Sequence, residues 1–399
     1  MSFAELRDFY HHHLLDHVMP FWLRHSIDHE HGGVLTFLAD DGRVLSTDKV
    51  IWSQARALWV FSALINHLGP NPQYQSIANN IAQFIIRHGR DDSGAWVFRL
   101  TRNGDIVEPA SSVYADAFAI YGLTEYARAS GSQEALRIAL EGYYRTSPRL
   151  NDHSNLPTKP HPVPRGLQAH GPYMIFALVF HELGLLTGVR EILDRALELA
   201  EIVVTQHLKP EQELLYEFVL PGGGLADSDA GRTFIPGHAI ESMWFMERIF
   251  SHHNRKTFLP TCLQAIRWHL EKGWDEEYGG LFLARSCGDG KPVWHSPDSK
   301  VWWPMAESLY AVLRAYELTG EDWCLNWYWK LHTYTFRSFP NWEHGDWHQN
   351  LDRLGRPIPV VVASLPVKDP FHLPRALLYS LLVLRRLSGT ASNMIEPRR

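Results

Sequence analysis

Asp28-His29-Glu30-His31-Gly32-Gly33-Val34-Leu35-Thr36-Phe37 and, far downstream, Asp275-Glu276-Glu277-Tyr278-Gly279-Gly280-Leu281-Phe282-Leu283 share one plan: an acidic start, a glycine turn, then an apolar run. A second turn follows each, Asp41-Gly42-Arg43-Val44 and Asp289-Gly290. Two more copies are Asp91-Asp92-Ser93-Gly94-Ala95-Trp96-Val97-Phe98 with Asn103-Gly104-Asp105-Ile106, and Gly345-Asp346-Trp347-His348 with Leu354-Gly355-Arg356. Apolar alternation flanking Asn-Gly or Asp-Gly predicts β-hairpins. The turn glycines recur at roughly sixty residues, and at about three times that across the middle of the chain, which marks an internal repeat. The middle gap holds room for two weaker copies. Glu213-Leu214-Leu215-Tyr216-Glu217-Phe218 fits one, and the proline-rich loop from Asn155-Leu156-Pro157 to Pro164-Arg165-Gly166 fits the other. Six units follow.

Between these connectors the apolar residues recur with helical period. The pattern predicts helices at 4–25, 49–68, 73–89, 111–130, 132–146, 169–187, 188–207, 237–253, 256–273, 302–319, 321–337 and 371–388. Short turns such as Leu68-Gly69-Pro70-Asn71, Ala129-Ser130-Gly131-Ser132 and Leu318-Thr319-Gly320-Glu321 alternate with the long connectors. Twelve helices in six pairs predict an all-α, closed α/α toroid: six inner helices ringed by six outer ones, with short β-hairpins in the long connectors. An open solenoid of helix pairs is the alternative, but it needs no long hairpins on one rim. The whole chain, 1–399, then forms one domain with a polar tail at 389–399. Every long connector leads into an inner helix, so all six inner N-termini face one rim, where a funnel-shaped site is expected.

Composition narrows the function classes. The net charge of −6 with interspersed signs disfavours nucleic acid as a partner. No run of apolar residues is long enough to cross a membrane. The first ten residues lack the charged start and apolar core of a signal peptide, and three scattered cysteines, Cys262, Cys287 and Cys324, fit a reduced cytoplasm without a disulfide framework. A homodimer is left open. Tryptophan is plentiful, at 15 residues. Indole faces stack on sugars but also fill cores, so abundance alone decides nothing.

The first turns of the six inner helices carry the chemistry. They present Trp52, Gln54, Arg56 and Trp59; Tyr114, Asp116 and Phe118; His170 and Tyr173; His238, Glu241 and Trp244; Trp303 and Glu307; and His372 and Arg375. Polar groups at one position in every unit are costly in a packed ring unless they satisfy each other or a ligand. His238 and Glu241, three apart, share a helix face. Arg56 has Glu241 or Glu307 as a prospective partner. Trp52, Trp59 and Trp302 read first as core, although Trp52 is also a sugar-contact candidate. His238 and Glu241 have a metal-ligand spacing, but a zinc-hydrolase helix needs a second His one turn on, and Trp244 and Glu247 do not supply it. Gly222-Gly223-Gly224 lacks the Lys-Ser or Lys-Thr of a phosphate cradle, so nucleotide-dependent chemistry has no support. Neither a metal nor another cofactor is expected.

Pro236-Gly237-His238-Ala239-Ile240-Glu241, Trp302-Trp303-Pro304 through Glu307, Phe371-His372-Leu373-Pro374-Arg375, Gln54-Ala55-Arg56-Ala57-Leu58-Trp59 and Tyr114-Ala115-Asp116-Ala117-Phe118 together resemble the motifs of the N-acylglucosamine 2-epimerase superfamily. That group includes cellobiose 2-epimerases and mannose or sulfoquinovose isomerases. The resemblance runs from about residue 20 to 385 and implies an (α/α)6 barrel, as the repeat count does. It implies a cofactor-independent enzyme acting at C2 of a hexose or N-acylhexosamine through an enediolate. His238 and His372 would be the general acid/base pair and Arg56 the oxyanion partner. His170 would assist ring opening, while Glu241 and Glu307 orient the histidines. Tyr114, Asp116, Trp303, Trp244 and Trp52 would line the sugar site. The positive end of its helix is expected to keep His238 neutral. One departure stands out. Asp369-Pro370 replaces a Gly-Cys pair of the N-acylglucosamine epimerases, which keeps an unmodified hexose such as mannose open as substrate. Mannose–fructose isomerisation is the near alternative. A glycoside hydrolase using two carboxylates on the same toroid, or a non-catalytic sugar-binding ring, are the distant ones.

Overall fold

The computed structural model describes residues 1–152, 156–359 and 367–390. The polar tail lies outside them from residue 391, as does Asn155 of the proline-rich connector. All twelve expected helices are present. The outer ones are α1 (Phe3–His12, carried on through a π-helical stretch, His13–Val18, and Met19–His25), α3 (Pro72–His88), α5 (Gln133–Thr146), α7 (Arg190–Ile202), α9 (Leu259–Gly273) and α11 (Asp322–Ser338). The inner ones are α2 (Ile51–Leu68), α4 (Val113–Ser130), α6 (Gly171–Thr187), α8 (Pro236–His252), α10 (Trp302–Thr319) and α12 (His372–Thr390). Helix α12 thus runs two residues, Gly389 and Thr390, into the stretch expected to be tail.

Burial separates the two rings. Outer α7 buries Ile192, Ala196, Leu199 and Ala200, a single stripe at helical spacing. Inner α6 buries every residue from Phe176 to Gly184, as a helix enclosed on all sides must. Consecutive inner helices pack on one another, and α12 returns to α2 to close the ring. At Gly122 of α4 the backbones nearly touch, since a Cβ there would lie 2.4 Å from the Ala55 carbonyl oxygen.

Among the described residues, five of the six connectors fold back on themselves as the turn pattern predicts: Ile27 bridges Val34, Arg90 bridges Trp96, Leu208–Lys209 pairs with Leu214–Leu215, Trp274 bridges Leu281 and Pro340 bridges Trp347. Second turns are closed by Phe37–Leu38 with Val44–Ser46, by Arg99–Leu100 with Ile106–Glu108 and by the Leu351–Pro357 bridge. A further recurring feature is a clasp between units. The short strand that leads into each inner helix pairs with the connector of the next unit: Lys49 with Leu100, Ser112 with Thr158, Gln168 with Val219, Thr233 with Ser286 and Lys300 with Leu351. The sixth clasp crosses the seam, where the Lys368 amide donates to the Thr36 carbonyl at 2.7 Å. Buried ion pairs reinforce three of them. Lys49 Nζ lies 2.9 Å from Asp28, Lys300 Nζ 3.0 Å from Asp275, and Lys368 Nζ 3.0 Å from both Asp40 and Asp346. These clasps fix all six inner-helix N-termini at one rim, the geometry expected for a funnel.

Candidate active site

A cavity of about 570 Å³ opens at that rim, lined by Trp52, Arg56, Tyr114, Phe118, Glu217, His238, Glu241, Trp303, Asp369 and His372, with the connectors around His161 and Trp294 at its mouth. The first turns of α2, α4, α8, α10 and α12 all contribute. His238 and His372, far apart in sequence, meet here because both imidazoles pack on the Trp303 indole, at centroid distances of 5.0 and 5.5 Å. Gly237 permits this approach, as a Cβ would stand 2.8 Å from Trp303 and 2.7 Å from Pro304.

The two histidines sit in opposite electrostatic settings. His238 Nδ1 lies 3.1 Å from Glu217 Oε2. Burial opposes charge on this imidazole, but the Glu217 carboxylate outweighs it and raises the pKa above the ordinary value. Burial alone would push the Glu217 carboxyl up, yet His238 and His170 hold it well below the usual range. His372 Nδ1 lies 2.8 Å from Glu307 Oε1. Glu307 also accepts from Arg375 Nη2 at 2.6 Å and from Trp244 Nε1 at 3.1 Å. Three donors converging on one carboxylate place the imidazole proton on Nδ1 and leave Nε2 with a lone pair. Burial pushes the His372 pKa down to about 3, helped by the Arg56 and Arg375 cations. Arg375 itself is buried among Phe371, Trp244 and Phe245 and donates to Glu241 as well as Glu307. Glu241, Glu307 and His372 also form a trio whose donor atoms lie within 4.8 Å of one another, a spacing that suits a metal ion. The Arg375 guanidinium already donates to both carboxylates, so a metal there would have to displace a buried cation.

Arg56 faces the cavity from an aromatic box of Phe118, Phe371 and Trp52, with centroids at 4.0, 4.8 and 5.2 Å. Its Nη1 pairs with Asp369 Oδ2 at 3.2 Å. A guanidinium keeps its charge, so it presents a fixed cation to any anion formed nearby.

Several sequence expectations need correction. Glu241 does not serve His238; Glu217 does, and Glu241 serves Arg375 and stands 3.6 Å from His372. The partner of Arg56 is Asp369, not Glu241 or Glu307. His238 is made more basic by Glu217 rather than held neutral by its helix. His170 is fully buried and does not line the cavity; its Nδ1 lies 3.3 Å from Glu217, behind His238. Asp116 lies in a separate small pocket with Arg149, 3.7 Å away, and burial raises its pKa to about 6. Trp244 is sealed beneath the floor, where it bonds Glu307. Tyr114, Trp303 and Trp52 do line the cavity, and so does Trp302. Sequence reasoning missed Glu217, Asp369, His161 and Trp294 as site residues. A lone charged residue between Tyr216 and Phe218, in the bend between two short strands, was the available signal for Glu217.

Comparison with known proteins agrees with this fold. A family model described as N-acylglucosamine 2-epimerase (GlcNAc 2-epimerase) matches residues 32–374. The N-acylglucosamine 2-epimerase of Homo sapiens is 29% identical over 376 residues, covering 91% of this chain and 86% of that protein. Among solved structures, the cellobiose 2-epimerase from Spirochaeta thermophila superposes with a TM-score of 0.83 at 22% identity, over 97% of this chain and 98% of that one. A D-mannose isomerase superposes with a TM-score of 0.78 at 20% identity, over 96% and 98%. At those identities the structural likeness speaks for the (α/α)6 barrel.

Proposed function

The chain belongs to the N-acylglucosamine 2-epimerase family, and from that premise we propose that it is a sugar isomerase that moves the C2 proton of an open-chain aldose between two histidines. The observation that carries this reading is the opposed setting of His238 and His372 in one cavity. Groups whose surroundings push their pKa values apart divide into an acid and a base. Neutral His372, its Nδ1 proton committed to Glu307, takes the proton from C2 on Nε2. The electrons left at C2 delocalise onto the carbonyl oxygen, and the resulting enediolate is stabilised by Arg56. His238, made more basic by Glu217, delivers a proton. Delivery to the opposite face of C2 gives the 2-epimer. His170, through Glu217, is a positioning residue for His238.

Delivery to C1 of the same intermediate would instead give a ketose, the second reading. Incubation with mannose, glucose and N-acetylmannosamine separately, followed by chromatography, decides between these outcomes. Glucose from mannose marks epimerisation, fructose marks isomerisation, and no conversion of any aldose defeats both. The three free cysteines, two of them buried, support a place in the reducing cytoplasm, which fractionation of the source cells would test. Among the described residues no helix is long and apolar enough to cross a membrane.

A further inference from the structure

A pyranose must open before its C2 proton becomes acidic, and the histidine expected to assist, His170, is walled off behind Glu217. Another imidazole faces the cavity. His161, in the connector between α5 and α6, is half-buried and lines the mouth. Its ring stacks on Trp294, with centroids 5.3 Å apart and planes 16° apart. Trp294 comes from the connector that leads to α10, and its indole lies 6.1 Å from the His238 ring. The stack therefore joins two connectors across the mouth on the His238 side. It fixes the plane of an imidazole whose nitrogens bond no described residue. His295 also lines the mouth but is exposed and has no such support.

We propose that His161 is the base that opens the sugar ring, ahead of the C2 chemistry at His238 and His372. This rests on the proposed isomerase reading of the cavity. In the step, His161 takes the proton of the anomeric hydroxyl, O1 forms the carbonyl with C1, and the C1–O5 bond breaks with its electron pair on O5. Water at the mouth protonates O5, and the hydroxide left behind takes the proton held on His161, so the net change is ring opening alone. Burial, and next the neighbouring His238, push the His161 pKa down to about 4, so the ring is neutral at pH 7 and carries a free lone pair. The Trp294 face has a further role, holding the cyclic sugar's mouth-side wall in place while O1 meets the imidazole.

Ring opening has its own readout, the interconversion of α and β anomers. Polarimetry of freshly dissolved glucose and mannose measures whether the wild type accelerates mutarotation, and NMR in heavy water follows C2 exchange separately. His161→Phe keeps a ring for the Trp294 stack, and His161→Gln provides a second replacement in case the first disturbs folding. Both variants should lose accelerated mutarotation and slow C2 exchange of hexoses by on the order of a hundredfold. Exchange on glyceraldehyde, which cannot close into a ring, should fall far less. A wild type that does not accelerate mutarotation, a variant that keeps it, or an equal loss on hexose and glyceraldehyde would overturn the proposal. Mutarotation without C2 exchange in the wild type would instead defeat the isomerase reading and leave ring opening standing.

Discussion

Replacing Arg375 by Met probes the floor of the site. The methionine fills much the same volume and leaves no large cavity, so the principal change is electrostatic. In the native protein one guanidinium serves two carboxylates, Glu241 and Glu307, with side-chain exposures of 2%, 5% and 0%. Removing one member of a buried pair costs about 3–5 kcal/mol, because the charge left behind has neither water nor a partner. An unfolding entropy of about 2.1 cal/mol/K per residue over 399 residues amounts to about 0.84 kcal/mol per kelvin. The melting temperature in calorimetry should therefore fall by roughly 4–6 °C. Adding Glu241→Gln to Arg375→Met removes one orphaned charge and should restore part of the loss, with a coupling of about 0.5–3 kcal/mol. The variant should also shift catalysis. With Arg375 gone, one of the two cations that lower His372 is lost and Arg56 alone remains against the carboxylates, so its pKa rises from about 3. The acid limb of the rate profile should then move to higher pH. A melting temperature within 1 °C of wild type, about the ~1 kcal/mol worth of an exposed pair, would show that Arg375 does not hold the two carboxylates. An unmoved acid limb would show that it does not keep His372 neutral.

Three further outcomes are expected. Glu217→Gln removes the carboxylate that raises the His238 pKa, so the alkaline limb of the rate profile moves to lower pH; an unmoved limb would mean that His238 is not the acid. Burial depresses His13, His207 and His372 to about 3, and His161, His181, His269 and His332 to about 4. Below the ordinary value of about 6.5 the unfolded chain binds protons that the folded protein refuses. The stability held above that pH is lost as pH falls toward 4, by up to about 1.4 kcal/mol per pH unit for each histidine. Urea midpoints that stay level between pH 6.5 and 4.5 would contradict this. Asp116→Asn should leave turnover within about twofold of wild type, because a surface or pocket change away from the chemistry is nearly neutral; a collapse of turnover would return Asp116 to the sugar site.

The ring itself was legible because its signal is periodic and local. Glycine turns repeat, and each helix carries its own apolar pattern. The clasps that join the units were not legible, because five pair residues about fifty apart and the sixth spans the seam, through strands or bridges of one or two residues that are too short to leave a pattern. Among site residues, those at helix starts could be placed by counting turns. Tyr114 and Phe118 lie one turn apart and both reach the cavity, whereas Asp116 sits about 200° round the helix from Tyr114 and faces out. The i, i+3 spacing correctly put Glu241 on the cavity side with His238 but said nothing of where the ring nitrogen points, which is toward Glu217 on a different connector. Arg375 was visible as a residue, and its role was not. A guanidinium bridging two carboxylates from α8 and α10 exists only once three helices have met.

The central claim is that the C2 proton leaves and returns through His372 and His238. In heavy water, NMR of mannose, glucose and N-acetylmannosamine should show deuterium entering at C2 of at least one sugar with the wild type, and none with His372→Asn, whose fold calorimetry confirms. Turnover of an aldose without any deuterium at C2 or C1, or full C2 exchange in the folded His372→Asn variant, would contradict it.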